Sequence, residues 1–347
     1  MVTLQAVQAH NGALRSRATG LVAVFVGGTS GIALSTALAF TRHTTAPRIY
    51  LIGRSRSAAD TAIASMKNIN PSSQPFFLQS DISLLKNVDK ACAEIAAREQ
   101  KVNLLFMTPG VMTMKGRQET AEGLDRKFVL HYYARMRFIY NLLPLLREAA
   151  RQRALSDGTR LSRVVSVFDP MVSIRAGGSG TLDFSDLSLK KTFSLQRCGA
   201  HASLMGNFLL ECLAHLQPQT SFTHTYPSGV ATGILREVPA GRFLSALMTP
   251  ILKPFMVPLE ESGERHLYAA TSPRYPPKIE GMTPKEDACL GSDGTKGSGC
   301  YWVSWDGEEF PVNKKMEITR QQDAAERVLQ HTEEVFNQIC EQGKTYP

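Results

Sequence analysis

Leu21-Val22-Ala23-Val24-Phe25-Val26-Gly27-Gly28-Thr29-Ser30-Gly31-Ile32-Ala33 decides how the chain is read. Six apolar residues in a row, too short for a helix and closed by glycine, read as a strand buried on both faces. From Ile32 to Phe40 (IALSTALAF) the apolar spacing becomes helical. Strand, glycine turn and helix in succession is the arrangement that binds a phosphate at a helix N-terminus. Glycine lets the backbone turn tightly and approach a pyrophosphate with no side chain in the way. The alternative is a tight connection that binds nothing.

The glycine spacing does not fit G-x-G-x-x-G. It resembles T-G-x-x-x-G-I-G, the turn of the short-chain dehydrogenases/reductases, with Val26 in place of the Thr and Ala33 in place of the last Gly. The resemblance implies a doubly wound α/β fold with a parallel Rossmann-type sheet. It also implies cofactor contacts from Gly27, Thr29, Ser30, Gly31 and Ile32.

Length leaves one large α/β domain or two; the whole chain 1–347 reads as a single domain, its core about 20–270 and the remainder an extension packed on it. No run of about 18 apolar residues occurs, so no membrane span is expected. The N-terminal residues lack an apolar signal core, which leads to the expectation of a cytoplasmic protein. Six scattered cysteines form no C-x-x-C and read as reduced thiols; only Cys289 and Cys300, which bracket a Gly/Ser/Lys loop, stand apart. The formal charge of +8 is not gathered into a basic stripe with aromatics, so nucleic-acid binding is not expected.

A second strand, Arg48 to Gly53, ends where a Rossmann-type site places an Asp or Glu about 20 residues after the glycines to hold a ribose hydroxyl. Here Gly53-Arg54 stands there, with Arg56 beyond. A carboxylate repels a 2′-phosphate and a guanidinium binds it, so the cofactor expected is NADP(H). The third strand ends in Asp81-Ile82-Ser83; the resemblance implies that Asp81 and Ile82 meet the adenine, while Ser83 also fits the N-cap of a helix beginning near Leu84. The fourth strand ends in Met107-Thr108-Pro109-Gly110 where the family carries N-N-A-G, leaving Gly110 for close approach to the cofactor ribose.

Thr120-Ala121-Glu122-Gly123-Leu124-Asp125 leads into a helix expected from Phe128 to about Ala149. It resembles the family's T-x-D-G-x-E-x-x-F-x-x-N, and His131 falls on the Asn that orders a relay water. His131 either serves that relay or is a partly buried histidine between helices. The fifth strand, Arg163 to Pro170, carries Phe168-Asp169 where the family has a Ser-Ser pair; Asp169 is an acid/base group or a cap on the next loop.

The resemblance calls for Tyr-x-x-x-Lys on the helix after that strand. Three registrations of the segment yield Gly199 with Ser203, Arg197 with His201, or Phe193 with Arg197, and none supplies both residues. No tyrosine occurs between Tyr140 and Tyr226. His131, His201 and Asp169 are therefore the candidate acid/base groups, the two histidines on helices expected to line the cleft. Further on, Pro227-Ser228-Gly229-Val230-Ala231-Thr232 resembles the family's P-G-x-V-x-T, implying that Val230 and Thr232 close over the nicotinamide. Gly241–Pro258 reads as a substrate lid or as core packing with a dimer face, which would make a homodimer. Helices are expected over Glu260–Ala270 and Lys315–Gln342, with a short strand over Tyr301–Trp305.

The pattern as a whole resembles a divergent branch of the family found in fungal secondary-metabolite pathways. Three functions stay open: an NADP(H)-dependent oxidoreductase on a small apolar or polyketide-like carbonyl, a non-redox isomerase, dehydratase or cyclase on the same fold, or a catalytically silent scaffold.

Overall fold

The opening apolar run forms β1 (Val22–Val26), buried throughout, in a computed structural model that describes residues 1–152, 161–175, 181–232, 256–278, 284–311 and 314–347. It is joined by β2 (Arg48–Gly53), β3 (Gln74–Gln79), β4 (Leu104–Met107), β5 (Arg163–Val167), β6 (Ser221–Tyr226) and β7 (Cys300–Ser304). Every pairing is parallel and the order across the sheet is β3-β2-β1-β4-β5-β6-β7. Parallel neighbours need crossover connections, so both faces of such a sheet become covered. Alternate residues accordingly divide between two cores. Val22, Val24, Val26, Tyr50, Ile52 and Leu105 point to one face, and Ala23, Phe25, Ile49, Leu51, Leu104 and Phe106 to the other.

The helices are α1 (Leu4–Arg17), α2 (Gly31–His43), α3 (Arg56–Ile69), α4 (Leu85–Ala96), α5 (Arg126–Phe128), α6 (Ala134–Arg151), α7 (Val172–Arg175), α8 (Leu195–Leu216), α9 (Leu259–Thr271), α10 (Lys314–Arg320) and α11 (Ala324–Phe336). Residues of α4, α6, α8 and α11 fill the first core, and residues of α1, α2, α3 and α9 the second. Residues on both sides of position 270 contribute to the sheet and its covering helices. β7 extends the sheet beside β6, α9 packs against α2, and α11 packs against α8. Among the described residues no helix is long and apolar enough to cross a membrane, and no His, Cys, Asp and Glu group could hold a metal ion. All six cysteines are free.

Several boundaries differ from the expected ones, each for a tertiary reason. β5 stops at Val167, because Asp169 and Pro170 turn into α7. Ser83 does not cap α4. The first N–H groups of that helix are taken by a distant carboxylate, Glu122, at 2.6 Å (Leu85) and 3.1 Å (Lys86), while Ser83 folds back on Asp81. The helix expected from Phe128 starts at Arg126, with Asp125 accepting from the Phe128 N–H at 2.9 Å, and passes through a π-helical turn over Val129–Tyr133 before α6. A π turn widens the helix by one residue and is common at functional sites; here it carries His131. The closing helix is broken at Asp323, which sits in the left-handed region with φ of 54°. Residues 241–255 of the Gly241–Pro258 segment lie outside the described residues.

Candidate functional site

β1 lies between β2 and β4, so the chain leaves its carboxyl end in opposite directions along the sheet. Crevices of this kind are where open α/β sheets bind ligands. The glycine turn occupies it. Gly27 has φ of +80° and Gly31 φ of +60°, conformations that side chains rarely adopt. A Cβ on Gly27 would come within 2.9 Å of Thr108 Oγ1 at the end of β4. The Gly27 and Gly28 N–H groups both donate to the Ile52 carbonyl, at 3.0 and 3.2 Å, which ties the turn to β2. α2 then begins with Ser30 as an extended N-cap whose hydroxyl makes no capping bond, so the positive end of the helix is left for another acceptor. Ile32 packs half-buried on the core beneath. These residues fit a dinucleotide pyrophosphate.

Several neighbouring segments lie around the turn. Thr29 packs against Gly53, whose Cβ would meet Thr29 Oγ1 at 2.9 Å, so the turn touches the end of β2. Arg54 follows at once. It is exposed, its carbonyl accepts from Gln79 Nε2 at 3.0 Å, and its guanidinium has no hydrogen bond or ion pair among the described residues. Arg56, the other basic candidate, is already engaged: it lies 4.7 Å over the Phe77 ring and 4.0 Å from Asp60. Asp81 is exposed, with Oδ1 accepting from the Ser83 N–H and hydroxyl at 3.1 and 2.8 Å, and Ile82 is buried. On the far side, Val230 is buried and bridges to Val257, and Thr232 lies over Gly31, 3.5 Å from where its Cβ would be.

The carboxyl ends of β4, β5 and β6 carry the second half of the site. A Cβ on Gly110 would lie 3.1 Å from His131 Nε2, and that nitrogen accepts from the Val111 N–H at 3.3 Å. Burial first, and then the Arg135 charge, push the His131 pKa down to about 3. The ring is therefore neutral, with its proton on Nδ1, and Nδ1 is buried without a hydrogen-bond partner among the described residues. Burial of the ring weighs against proton exchange near neutral pH and leaves Nδ1–H as a hydrogen-bond donor. Its ring meets Phe168 at 4.9 Å between centroids, and Phe168 stacks in turn on His224.

Arg135, four residues beyond His131 in α6, was not singled out in the sequence. Its guanidinium is buried and donates to Ser166 Oγ at 2.8 Å, the Val167 carbonyl at 2.9 Å, the Pro109 carbonyl at 2.6 Å and the Leu130 carbonyl at 3.3 Å. All four acceptors are neutral, so a full positive charge is held at the junction of β4 and β5; burial lowers its pKa to about 9. An arginine one helical turn after a site residue was the only signal, and nothing local shows that its partners are carbonyls at two strand ends.

Asp169 caps the loop after β5: Oδ1 accepts from the Met171 N–H at 2.8 Å, and Oδ2 pairs with Arg175 at 3.1 Å. Burial raises its pKa, against the pull of those partners. Arg175 lies 4.3 Å over the Tyr226 ring. α8 turns a polar stripe to this region: Ser203 Oγ donates to the Asp169 carbonyl at 2.9 Å, and Asn207 Nδ2 to the Pro170 carbonyl at 2.8 Å. Asn207 also meets His224 Nδ1 at 2.6 Å, and Gly199, one turn earlier, faces Val172. So Gly199 and Ser203 form the registration that faces the strand ends. His201 does not. Two residues off the stripe, it is buried with Nε2 accepting from the Asp183 N–H at 3.2 Å, and it lies close enough to lower the pKa of His331 on α11. The expectation that both histidines line one cleft is corrected by this rotation about α8.

A profile described as short chain dehydrogenase matches residues 21–152, the stretch that holds the glycine turn, Arg54, Asp81, Gly110 and His131. Oxidoreductase AN1596 of Emericella nidulans is 39% identical, with 97% of this chain and 99% of that protein aligned. Oxidoreductase andH of Emericella variicolor is 34% identical over 98% of each. Among solved structures, L-sorbose reductase of Gluconobacter frateurii, complexed with NADPH and L-sorbose, superposes with a TM-score of 0.55. The match spans 86% of this chain and 100% of that one, at 15% identity, a likeness of fold.

Proposed function

Because the chain belongs to the short-chain dehydrogenase/reductase family, we propose that it is an NADP(H)-dependent oxidoreductase acting on the carbonyl of a small apolar or polyketide-like intermediate. One observation carries the cofactor choice: Arg54, whose guanidinium has no partner among the described residues, directly follows Gly53, which packs on Thr29 of the turn. A 2′-phosphate there gains a charge-assisted, bidentate partner that NADH lacks. Gly27, Gly31 and the open end of α2 would hold the pyrophosphate, Asp81 and Ile82 the adenine side, and Gly110, Val230 and Thr232 the nicotinamide half. The dihydronicotinamide, when bound, supplies a hydride.

The chain's own residues then have to orient the carbonyl and stabilise the negative charge that develops on its oxygen, the proton for the resulting alkoxide coming from solvent water. The unpaired His131 Nδ1–H is the proposed donor of a hydrogen bond, to a water or to the substrate oxygen, as a neutral electrophile rather than a titrating acid. Arg135 stands behind it as a fixed positive charge that favours developing negative charge on that oxygen. Asp169 acts by anchoring Arg175. His201, turned toward α11, takes no part in the proposed site.

The test is calorimetric titration with NADPH and NADH. Wild type is expected to favour NADPH by roughly tenfold or more, the size of one exposed charge-assisted contact, and Arg54→Ala to erase the preference. Equal affinities, or a preference that survives the substitution, would refute the assignment. The Gly199, Ser203 and Asn207 stripe favours a second reading, a non-redox isomerase, dehydratase or cyclase, or a silent scaffold, since it offers no acid. Turnover that ignores NADPH but collapses in His131→Ala would establish the non-redox enzyme.

A further inference from the structure

We propose that the cavity between the 184–191 segment and helix α11 is a second binding site, for a ring-containing organic anion. It is independent of the cofactor reading, and none of its lining residues belongs to the site described above. The volume is about 520 Å³, the size of a cavity that encloses a small organic molecule. Phe184, Leu187 and Tyr346 give it apolar walls.

Charge sets the class of ligand. The side-chain carboxylates in the lining, Asp186 and Glu334, are turned onto neutral donors of the chain itself; Pro347, the last residue of the sequence, lines the cavity beside them. Asp186 accepts from the backbone N–H groups of Lys190, Lys191 and Thr192 at 2.7, 2.9 and 2.8 Å, and from the Thr192 hydroxyl at 2.9 Å. Glu334 accepts from Gln330 at 3.0 Å. Of the three cations in the lining, Lys190 pairs with Glu119 at 3.6 Å and the other two are not committed. Lys191 has no ion pair among the described residues. The Arg327 guanidinium lies 3.8 Å over the Phe184 ring with no carboxylate partner among the described residues, its N–H edge left for an acceptor.

His331 adds a directed donor. Its Nε2 is 2.8 Å from the hydroxyl of Tyr133. Burial holds Tyr133 protonated, far above the ordinary tyrosine range, and lowers the His331 pKa to about 4. The phenol therefore donates to Nε2, and the remaining imidazole proton is on Nδ1, which has no partner among the described residues. Two free cations and one fixed N–H around apolar walls suit an anion carried on rings.

The probe is 1-anilinonaphthalene-8-sulfonate, followed by fluorescence on the full chain, beside N-phenyl-1-naphthylamine, which has the same rings without the charge. Wild type should bind one equivalent of the anion, and Lys191→Glu/Arg327→Glu should weaken it at least tenfold while leaving the neutral probe unchanged. Both side chains are exposed, so the double variant should keep the wild-type melting temperature; Lys191→Gln/Arg327→Gln, with smaller loss, serves as the milder check. Anion affinity unchanged in both variants, neutral probe binding as tightly as the anion, or displacement of the anion by NADPH would each overturn the proposal.

Discussion

Replacing His131 by asparagine should make the protein less sensitive to acid. In the fold the imidazole pKa is held at about 3, against about 6.5 for an exposed histidine. The folded pKa is the lower one, so the unfolded chain takes up a proton that the native state refuses, and stability is lost as pH falls from 6.5 toward 3. At about pH 5 the gap to 6.5 is roughly 1.5 units, and at 1.36 kcal/mol per unit the loss is about 2 kcal/mol. That is a sizeable share of a typical net stability of about 5–15 kcal/mol. His224 is also held at about 3, and His10, His266 and His331 at about 4, so wild type has other losses of the same sign. The comparison with His131→Asn cancels them. Asparagine offers Oδ1 to the Val111 N–H and cannot titrate. Urea denaturation at about pH 7.5 and about pH 5 is the assay. Wild type should lose about 2 kcal/mol more than the variant over that interval, with equal m-values. Equal losses would mean that the ring is not held neutral, and the neutral-donor role would fall with it.

Removing the Glu122 carboxylate (Glu122→Ala) leaves the Leu85 and Lys86 N–H groups of α4 without partners, and should cost about 2–3 kcal/mol in the same denaturation experiment; Glu122→Gln, which keeps one acceptor oxygen, should recover part of it. A methyl on Gly27 would meet Thr108 Oγ1 at 2.9 Å and force a left-handed φ on alanine. Gly27→Ala should therefore lower the melting temperature by several degrees and weaken NADPH at least tenfold by calorimetry. Unaltered NADPH affinity in Gly27→Ala would show that the turn does not hold the pyrophosphate.

The reach of the sequence and the need for the fold divide along a physical line. A strand buried on both faces writes itself as a continuous apolar run, so Leu21–Val26 and the strands beside it were legible, and with them a parallel sheet and the crevice at β1. The glycine turn was legible for the same reason: its backbone angles exclude side chains locally, whatever packs around it. Arg54 stood out because a carboxylate was expected at that spacing. What the chain does at a distance was not written in any window of sequence. Glu122 caps a helix whose first residue lies 37 positions away, so Ser83 was credited with its work. Arg135 finds three of its acceptors at β5 and just beyond β4, which come together only when the sheet forms. The face of α8 that meets the strands was undecidable among three registrations, since an unbroken apolar helix can be rotated without changing its pattern. Packing of β5 on one side and α11 on the other selected Ser203 and Asn207 for the site and turned His201 away. Local backbone preference and burial are properties of neighbouring residues and survive in the sequence; partner choice and helix rotation are settled by contacts between distant segments, and only the tertiary structure decides them.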